Sequence, residues 1–413
     1  MELFILGWKN VFRNKRRSIL NIIALTVGVA VIIIVSGWVR GYFDGLYNAM
    51  INFRTGHIHI MQNNYIDEKR RLPLDLNVTE YPELRSELLK NKDIKEVTAR
   101  IDFGLQLSNG QESVYLMGRG IDPERESKVT VIRDHIVKGN YLSPDGKGLL
   151  IGEPLADKMN LSVGDTVFLT ARDKYNVENF IDAKITGIFN FGYPPIDDNQ
   201  IFMGLHNTAS FLNMKGEVSR VVIKLKNRKN AEEVLPDVRL VLKNSYPNFN
   251  AYNWKRFAQV MVSAVKTDTY SAFIMFGLLY VLIIIGILNS MSMSVQERTG
   301  EIATLRAIGM KRRKLSWLFL SEGISLGFIS AIFAVIIVIP VAYYLQYTGF
   351  DVKEFMPEGI PIPWGERFTA QYVFGDYVLG IVTGVVTSVI GTLLPVRRAA
   401  KLNIAGSMSG HGE

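Results

Sequence analysis

The spacing of its apolar segments constrains this chain more than any other feature. Four runs are long and apolar enough to cross a bilayer: Ile19 to Val39, Ser271 to Val295, Leu315 to Leu345 and Tyr377 to Leu394. At about 1.5 Å per helical residue, such runs match a hydrocarbon core roughly 30 Å thick. The first stands alone near the start and the other three are bunched at the end, with no spanning run between residues 42 and 266. Lipid offers the backbone no hydrogen bonds, so these runs are predicted as helices. The fold class that follows is a membrane α-helical protein: four transmembrane helices, with a large α+β extracytoplasmic domain inserted between helices 1 and 2. A mean hydropathy of +0.14 with 48% hydrophobic residues suits such a mixed chain.

Charge orients the spans. Lys9, Arg13, Lys15, Arg16 and Arg17 precede the first run, Lys311 to Lys314 precede the third, and Arg397, Arg398 and Lys401 follow the last. The loop 346–371 is instead poor in bases, with Asp351, Glu354, Glu358 and Glu366 against Lys353 and Arg367. The positive-inside rule then predicts both termini in the cytoplasm. The first run is too long for a signal h-region and lacks a small-residue cleavage site, so it is expected to remain as an anchor. The expected plan is a cytoplasmic amphipathic N-terminus (1–18, with Leu3, Leu6 and Phe12 on one face), helix 1 (19–41), a soluble core (42–253) and a stalk helix (254–270). Helix 2 (271–295), a cytoplasmic loop (296–314), helix 3 (315–345), an outer loop (346–371), helix 4 (372–396) and a cytoplasmic tail (397–413) complete it. The net charge of +8 is explained largely by the bases at these helix ends, so no nucleic-acid partner is expected.

Between the first and second runs the texture changes to short alternating stretches broken by Gly, Pro, Asn and Asp. Period-two alternation with β-branched residues predicts strands at 57–62, 99–107, 113–121, 165–171, 182–189 and 219–226. Helical spacing predicts helices at 79–91 and 230–244, with Thr79 and Asn230 as N-caps. Trp254, Phe257, Met261 and Val265 recur at helical spacing, as a stalk or a core stripe would require. There is no cysteine, so disulfides and thiolate metal sites are excluded and packing alone must hold the inserted domain.

The polar run Gln296 to Lys314, QERTGEIATLRAIGMKRRK, lies between two spans. Ile302, Leu305 and Ile308 recur every third residue, with Glu297, Arg298, Glu301 and Arg306 largely elsewhere, which predicts a short amphipathic helix on the membrane face. Gly309 can end it and Lys311 begins the basic cluster. The charge pattern alone fits a solvated juxtamembrane helix equally well.

The wording of this run, with the opening WKNVFRNKRRSIL, the stretch 120–170 (GIDPERE…GDTVFLT) and the ending LLPVRRAAKLN, resembles the FtsX-like and MacB-type family of ABC transporter permeases. GHIHI and GIDPERE are most similar to its Lol lipoprotein-releasing branch. The resemblance implies a coupling helix that seats in an ABC ATPase subunit, with Glu297, Arg298, Glu301, Ile302, Leu305, Arg306, Ile308 and Lys311 as its residues. It implies that this chain binds no cofactor, ATP and Mg being held by the partner ATPase, and that it pairs with a second permease copy or a paralogue. The expected place is the bacterial inner membrane and the expected cargo an acylated lipoprotein, taken from membrane lipid by mechanotransmission. A periplasmic carrier is a further candidate partner. At the place of the carrier-capturing hook of one Lol subunit, this chain has only the short DKYNVEN, Asp173 to Asn179. Export of small amphiphiles or peptides, and a non-transporting relay to a cell-wall hydrolase, are the alternative functions.

An acyl chain leaving the outer leaflet needs an apolar surface at that depth. If helix 1 runs outward and helix 2 back, Val35, Trp38 and Phe43 share a depth with Phe273, Met275 and Phe276, as a substrate path or as an aromatic belt. No G-x-x-x-x-G-K-[ST] phosphate loop is present in the sequence, so ATP hydrolysis by that route is excluded for this chain. His57 and His59 share one strand face without a third ligand suggested, and are read as surface residues rather than a metal pair. Asp197 and Asp198, after Pro194 and Pro195, are read as a solvated turn with no catalytic role.

Overall fold

The protein is described here from a computed structural model covering residues 15–227, 230–351 and 367–401. These residues fall into two units, one holding the spans and the other the inserted domain, with the divisions at Asp44/Gly45 and Ser263/Ala264. The expected N-terminal amphipathic face at Leu3, Leu6 and Phe12, most of the acidic outer loop and the end of the tail lie outside the described residues.

Among the described residues four helices are long and apolar enough to cross a membrane, with windows of mean hydropathy 2.0 to 2.8. They run Lys15–Met50, Gln259–Glu297, Arg312–Tyr347 and Phe374–Lys401. The first continues past the expected end at 41, because Tyr42 to Met50 contains no proline to stop it. It then loosens into a π-helical turn, Ile51–Thr55, closed by Gly56 at a φ of 66°. The second starts later than the stalk stripe predicts. Trp254–Arg256 form a 3₁₀ turn capped by Asn253, whose Oδ1 accepts from the Lys255 N–H at 3.1 Å, so Trp254 and Phe257 precede the helix.

Small residues bring the third and fourth spans together. A Cβ on Gly323 would meet Thr392 Oγ1 at 2.3 Å, and one on Gly327 would meet Ser388 Cβ at 2.9 Å. Ser388 Oγ also donates to the Gly323 carbonyl at 2.6 Å. Such close approach is how helices associate in lipid, where no hydrophobic effect drives them together. The first span packs on the fourth through Val29 and Ile33 against Gly380 and Gly384. Near one end of that seam Arg40 pairs with the buried Asp376 at 2.7 Å. The second span is different: 6% of its apolar window is buried, against 39%, 39% and 33% for the others. Ile287 and Met291 pack with Leu25, Leu326 and Ile329, while Phe273, Ile274, Leu278 and Leu282 are exposed.

The inserted domain is built on one sheet of ten strands among the described residues. They are β1 (Ile58–Gln62), β2 (Ile94–Ser108), β3 (Ser113–Ile121), β4 (Ile136–Gly139), β5 (Leu149–Gly152), β6 (Thr166–Arg172), β7 (Glu178–Phe189), β8 (Gln200–Gly204), β9 (Arg220–Leu225) and β10 (Phe249–Asn253). The order is β10-β1-β9-β2-β3-β8-β5-β7-β4, with β6 pairing β2 and β7. The six predicted strands are present, and β4, β5, β8 and β10 are additional. Two pairs, β3 with β8 and β5 with β7, are parallel. One face buries Ile58, Ile60, Val97, Ala99, Ile101 and Phe103 in the main core with the helices Tyr81–Leu88 and Ala231–Ser245. Neither helix is capped by the side chain expected: Glu80, not Thr79, is the N-cap of the first, and Asn230 caps the second without a side-chain hydrogen bond.

Candidate coupling site

The loop between the second and third spans folds into a helix, Thr299–Ala307. Its stop is a Schellman arrangement: the Gly309 N–H reaches the Arg306 carbonyl at 3.1 Å and the Met310 N–H reaches the Leu305 carbonyl at 3.0 Å. Gly309 takes the left-handed φ of 96° this requires, and Leu305 and Met310 pack on the same apolar cluster, the contact that usually accompanies the motif. Ile302 and Val295 bury beside Leu315 and Phe319 of the third span and Val396 of the fourth. Burial of a side chain such as Ile302 is worth roughly 1.5–3 kcal/mol.

The polar residues divide into two sets. Arg298 is buried and its Nη1 lies 3.4 Å from Oε2 of the buried Glu322, about three turns into the third span. Its Nε and Nη2 have no hydrogen-bond partner among the described residues. Glu297, Glu301 and Lys311 are exposed, and Leu305 and Arg306 are half-buried. Ile308, expected on the apolar stripe, is 78% exposed. The physical reason is the period: at 3.6 residues per turn, six positions from Ile302 carry Ile308 about 120° round the axis. The loop therefore grips the spans through Arg298, Ile302 and Leu305, while Glu301 on the helix and Glu297, Ile308 and Lys311 beside its two ends are exposed.

The proposed substrate-path residues all belong to the unit of the spans. Trp38 lies 5.4 Å from Phe368 and 6.5 Å from Tyr42 by ring centroids, and Phe43 lies 5.6 Å from Tyr42. No ring contact joins Trp38 or Phe43 to Phe273 or Phe276 among the described residues. Val35 and Phe276 are half-buried, and Phe273 and Met275 are exposed. Asp173 to Asn179 is a tight hairpin turn, its Asp173 Oδ1 accepting from the Tyr175 and Val177 N–H groups at 2.9 Å each.

Two polar pairs read as solvated are partly or wholly buried. His57 and His59 are 4% and 1% exposed, because β1 lies between β9 and β10 with its polar face covered. Asp197 is 2% exposed and accepts from the Phe191 N–H at 3.0 Å and the Tyr193 N–H at 2.7 Å, so it ties the proline turn shut. Burial pushes its carboxyl up from the usual range while those N–H groups oppose the shift. Asp198 is exposed. No group of three or more metal-ligating side chains occurs among the described residues.

Comparison with known proteins fits this architecture. The chain is 21% identical to the lipoprotein-releasing system transmembrane protein LolE of Haemophilus influenzae over 99% of both chains. It is 26% identical to LolC of Xylella fastidiosa over 73% of this chain and 75% of that one. It is 23% identical to the macrolide export ATP-binding/permease protein MacB of Campylobacter jejuni, over 99% of this chain and 61% of that one. A crystal structure of the periplasmic region of MacB from Actinobacillus actinomycetemcomitans is similar at a TM-score of 0.37 and 15% identity, covering 51% of this chain and 94% of that one. Residues 18–240 match the family described as MacB-like periplasmic core domain, and residues 273–404 the FtsX-like permease C-terminal family. The chain thus belongs to the FtsX-like, MacB-type family of ABC transporter permeases.

Proposed function

We propose that the chain is the permease subunit of an ATP-driven transporter that extracts lipoproteins from the outer leaflet of the bacterial inner membrane. The observation that carries this reading is the loop between the second and third spans, held inward by Ile302 and Arg298 while Glu297, Glu301, Ile308 and Lys311 are exposed. A separate ABC ATPase, holding ATP and Mg, would bind those exposed residues. Its closure would then reach the third span through the packing of Ile302 with Leu315 and Phe319. The bases at both termini and in this loop support a cytoplasmic position for all three. The lipoprotein cargo is favoured by similarity to LolE along the whole chain. A second permease copy or paralogue would complete the path, with Val35, Trp38, Phe43, Phe273, Met275 and Phe276 meeting the acyl chains.

The test joins both halves of the reading. Photocrosslinkers at Val35 and Met275 should trap an acylated lipoprotein without ATP and lose it on ATP addition. The exposed Ile336 of the third span serves as the lipid-facing control. Glu301→Ala with Arg306→Ala should abolish the ATP effect and weaken ATPase association. Capture equal to that at Ile336 would refute the lipoprotein path, and unchanged ATPase association would refute the coupling assignment. ATP-dependent capture of a non-acylated peptide or amphiphile instead would favour the exporter reading.

A further inference from the structure

The inserted domain holds a half-open cavity, lined by several charged side chains, that the coupling reading leaves unused. The second face of the sheet turns polar where β1, β9, β2 and β3 lie side by side. Register sets His59 opposite Val222, Arg220 opposite Arg100, and Asp102 opposite Arg119. Arg119 Nε donates to Asp102 Oδ1 at 2.6 Å, and Arg220 donates to Oδ2 of the same carboxylate. Arg100 is held apart by a two-pronged pair with Glu126, at 2.6 and 3.3 Å. Above Arg119 and Arg220 lies a cavity of about 250 Å³ whose wall includes His59, Tyr65, Lys69, Arg70, Asp102 and Phe257.

The wall is rich in donors. Four cations, Lys69, Arg70, Arg119 and Arg220, face it with Asp102 as the only acid among the described lining residues. His59 is 1% exposed, lies 4.2 Å from the Phe257 ring by centroids, and neither ring nitrogen has a hydrogen-bond partner among the described residues. Burial, with Arg220, Arg100 and Arg119 nearby, holds His59 well below its usual range, so near neutral pH its ring offers one N–H donor and one acceptor. Burial likewise brings Arg119 down to about 10. A buried polar group without a partner is costly, and so is a buried cation that shares its counter-ion. An anion entering the cavity would relieve both. The volume lies below the roughly 300–1,000 Å³ of sites for drug-sized ligands and well above the roughly 30 Å³ of one water. Guanidinium forks suit the several oxygens of a phosphate.

We propose that this cavity binds a phosphate group, free or at the end of a small molecule or lipid headgroup, on Arg119, Arg220 and His59, with Lys69 and Arg70 at its mouth. The test uses the full chain in phospholipid-free detergent, titrated with inorganic phosphate at constant ionic strength and read by calorimetry. Saturable binding of one phosphate per chain is expected. His59→Phe should weaken it about tenfold, the loss of one hydrogen bond to a charged group. Lys69→Ala with Arg70→Ala removes only exposed mouth residues, so the fold is kept, and should also weaken binding several-fold. No saturable binding by the wild-type chain would overturn the proposal, as would unaltered affinity in the Lys69/Arg70 variant. Nanodiscs of phosphatidylglycerol or phosphatidylcholine separate the sources. Competition with added phosphate by the anionic lipid alone identifies a headgroup, and an undiminished titration in both identifies a soluble phosphate.

Discussion

Replacing Glu322 by Gln should release the loop helix from the third span. Arg298 and Glu322 are both buried, at 7% and 2% side-chain exposure, and Glu322 is the ion-pair partner the structure gives that arginine. Removing one member of a buried pair typically costs about 3–5 kcal/mol, because the other is left as an uncompensated charge. If that cost is relieved by local opening of Thr299–Ala307, its lower end of about 3 kcal/mol corresponds to amide exchange roughly 150-fold faster at 25 °C. Hydrogen exchange by mass spectrometry on the reconstituted chain can follow peptides covering 299–307 against the sheet of the inserted domain as internal control. The double replacement Arg298→Met with Glu322→Leu should restore most of the protection, since apolar residues of similar volume often match or exceed a buried pair. Exchange in Glu322→Gln within threefold of wild type would refute the reasoning. So would a double variant as open as the single one.

Two further outcomes follow from burial. Ile302→Ala should destabilise the span unit by about 2–5 kcal/mol, whereas Ile308→Ala, at a 78% exposed position, should stay within about 0.5 kcal/mol; equal effects in thermal melts would contradict the placement of the helix faces. His59 should make the inserted domain acid-sensitive: its folded pKa is depressed, so below the unfolded value near 6.5 the unfolded chain takes up a proton that the folded one refuses. Stability is then lost as pH falls, by up to about 1.4 kcal/mol per unit, and His59→Gln should flatten the denaturant midpoints measured between pH 7 and 5, while an unchanged slope would assign the effect elsewhere.

The spans were legible because length and apolarity are summed over some twenty residues, and no tertiary contact can reverse that signal. The ends were less so. Nothing in Tyr42 to Met50 marks a stop, and only the fold shows that the second helix begins at Gln259 after a 3₁₀ turn. In the sheet, β3 and β7 alternate visibly, whereas β5 and β8 are short runs buried on both faces, LLIG and QIFMG, with no alternation to read. Their pairings are non-local, so sequence neighbours carry no trace of them. At the coupling site the helix and its Gly309 stop are visible in the sequence, but a spacing of three drifts off a 3.6-residue turn, so the stripe that holds Ile302 and Leu305 does not extend to Ile308. Arg298 reads as one charge among several. Its inward direction follows from Glu322, a lone acid inside an apolar run whose presence was the available signal. His59, Asp102, Arg119 and Arg220 come from four strands, and no sequence window contains them together.

The seam between the third and fourth spans bears on how such a protein can diverge. Ser388 and the Gly384 backbone come so close to position 327 that a Cβ there would crowd them, and Thr392 crowds position 323 in the same way. A larger residue at either glycine is tolerated when the facing position shrinks in the same lineage, and an isolated enlargement would pry the helices apart. Across related chains, substitutions at 323 and 392, and at 327, 384 and 388, should therefore be inherited as matched sets. The exposed outer half of the second span, with few neighbours in its own unit, should drift one residue at a time.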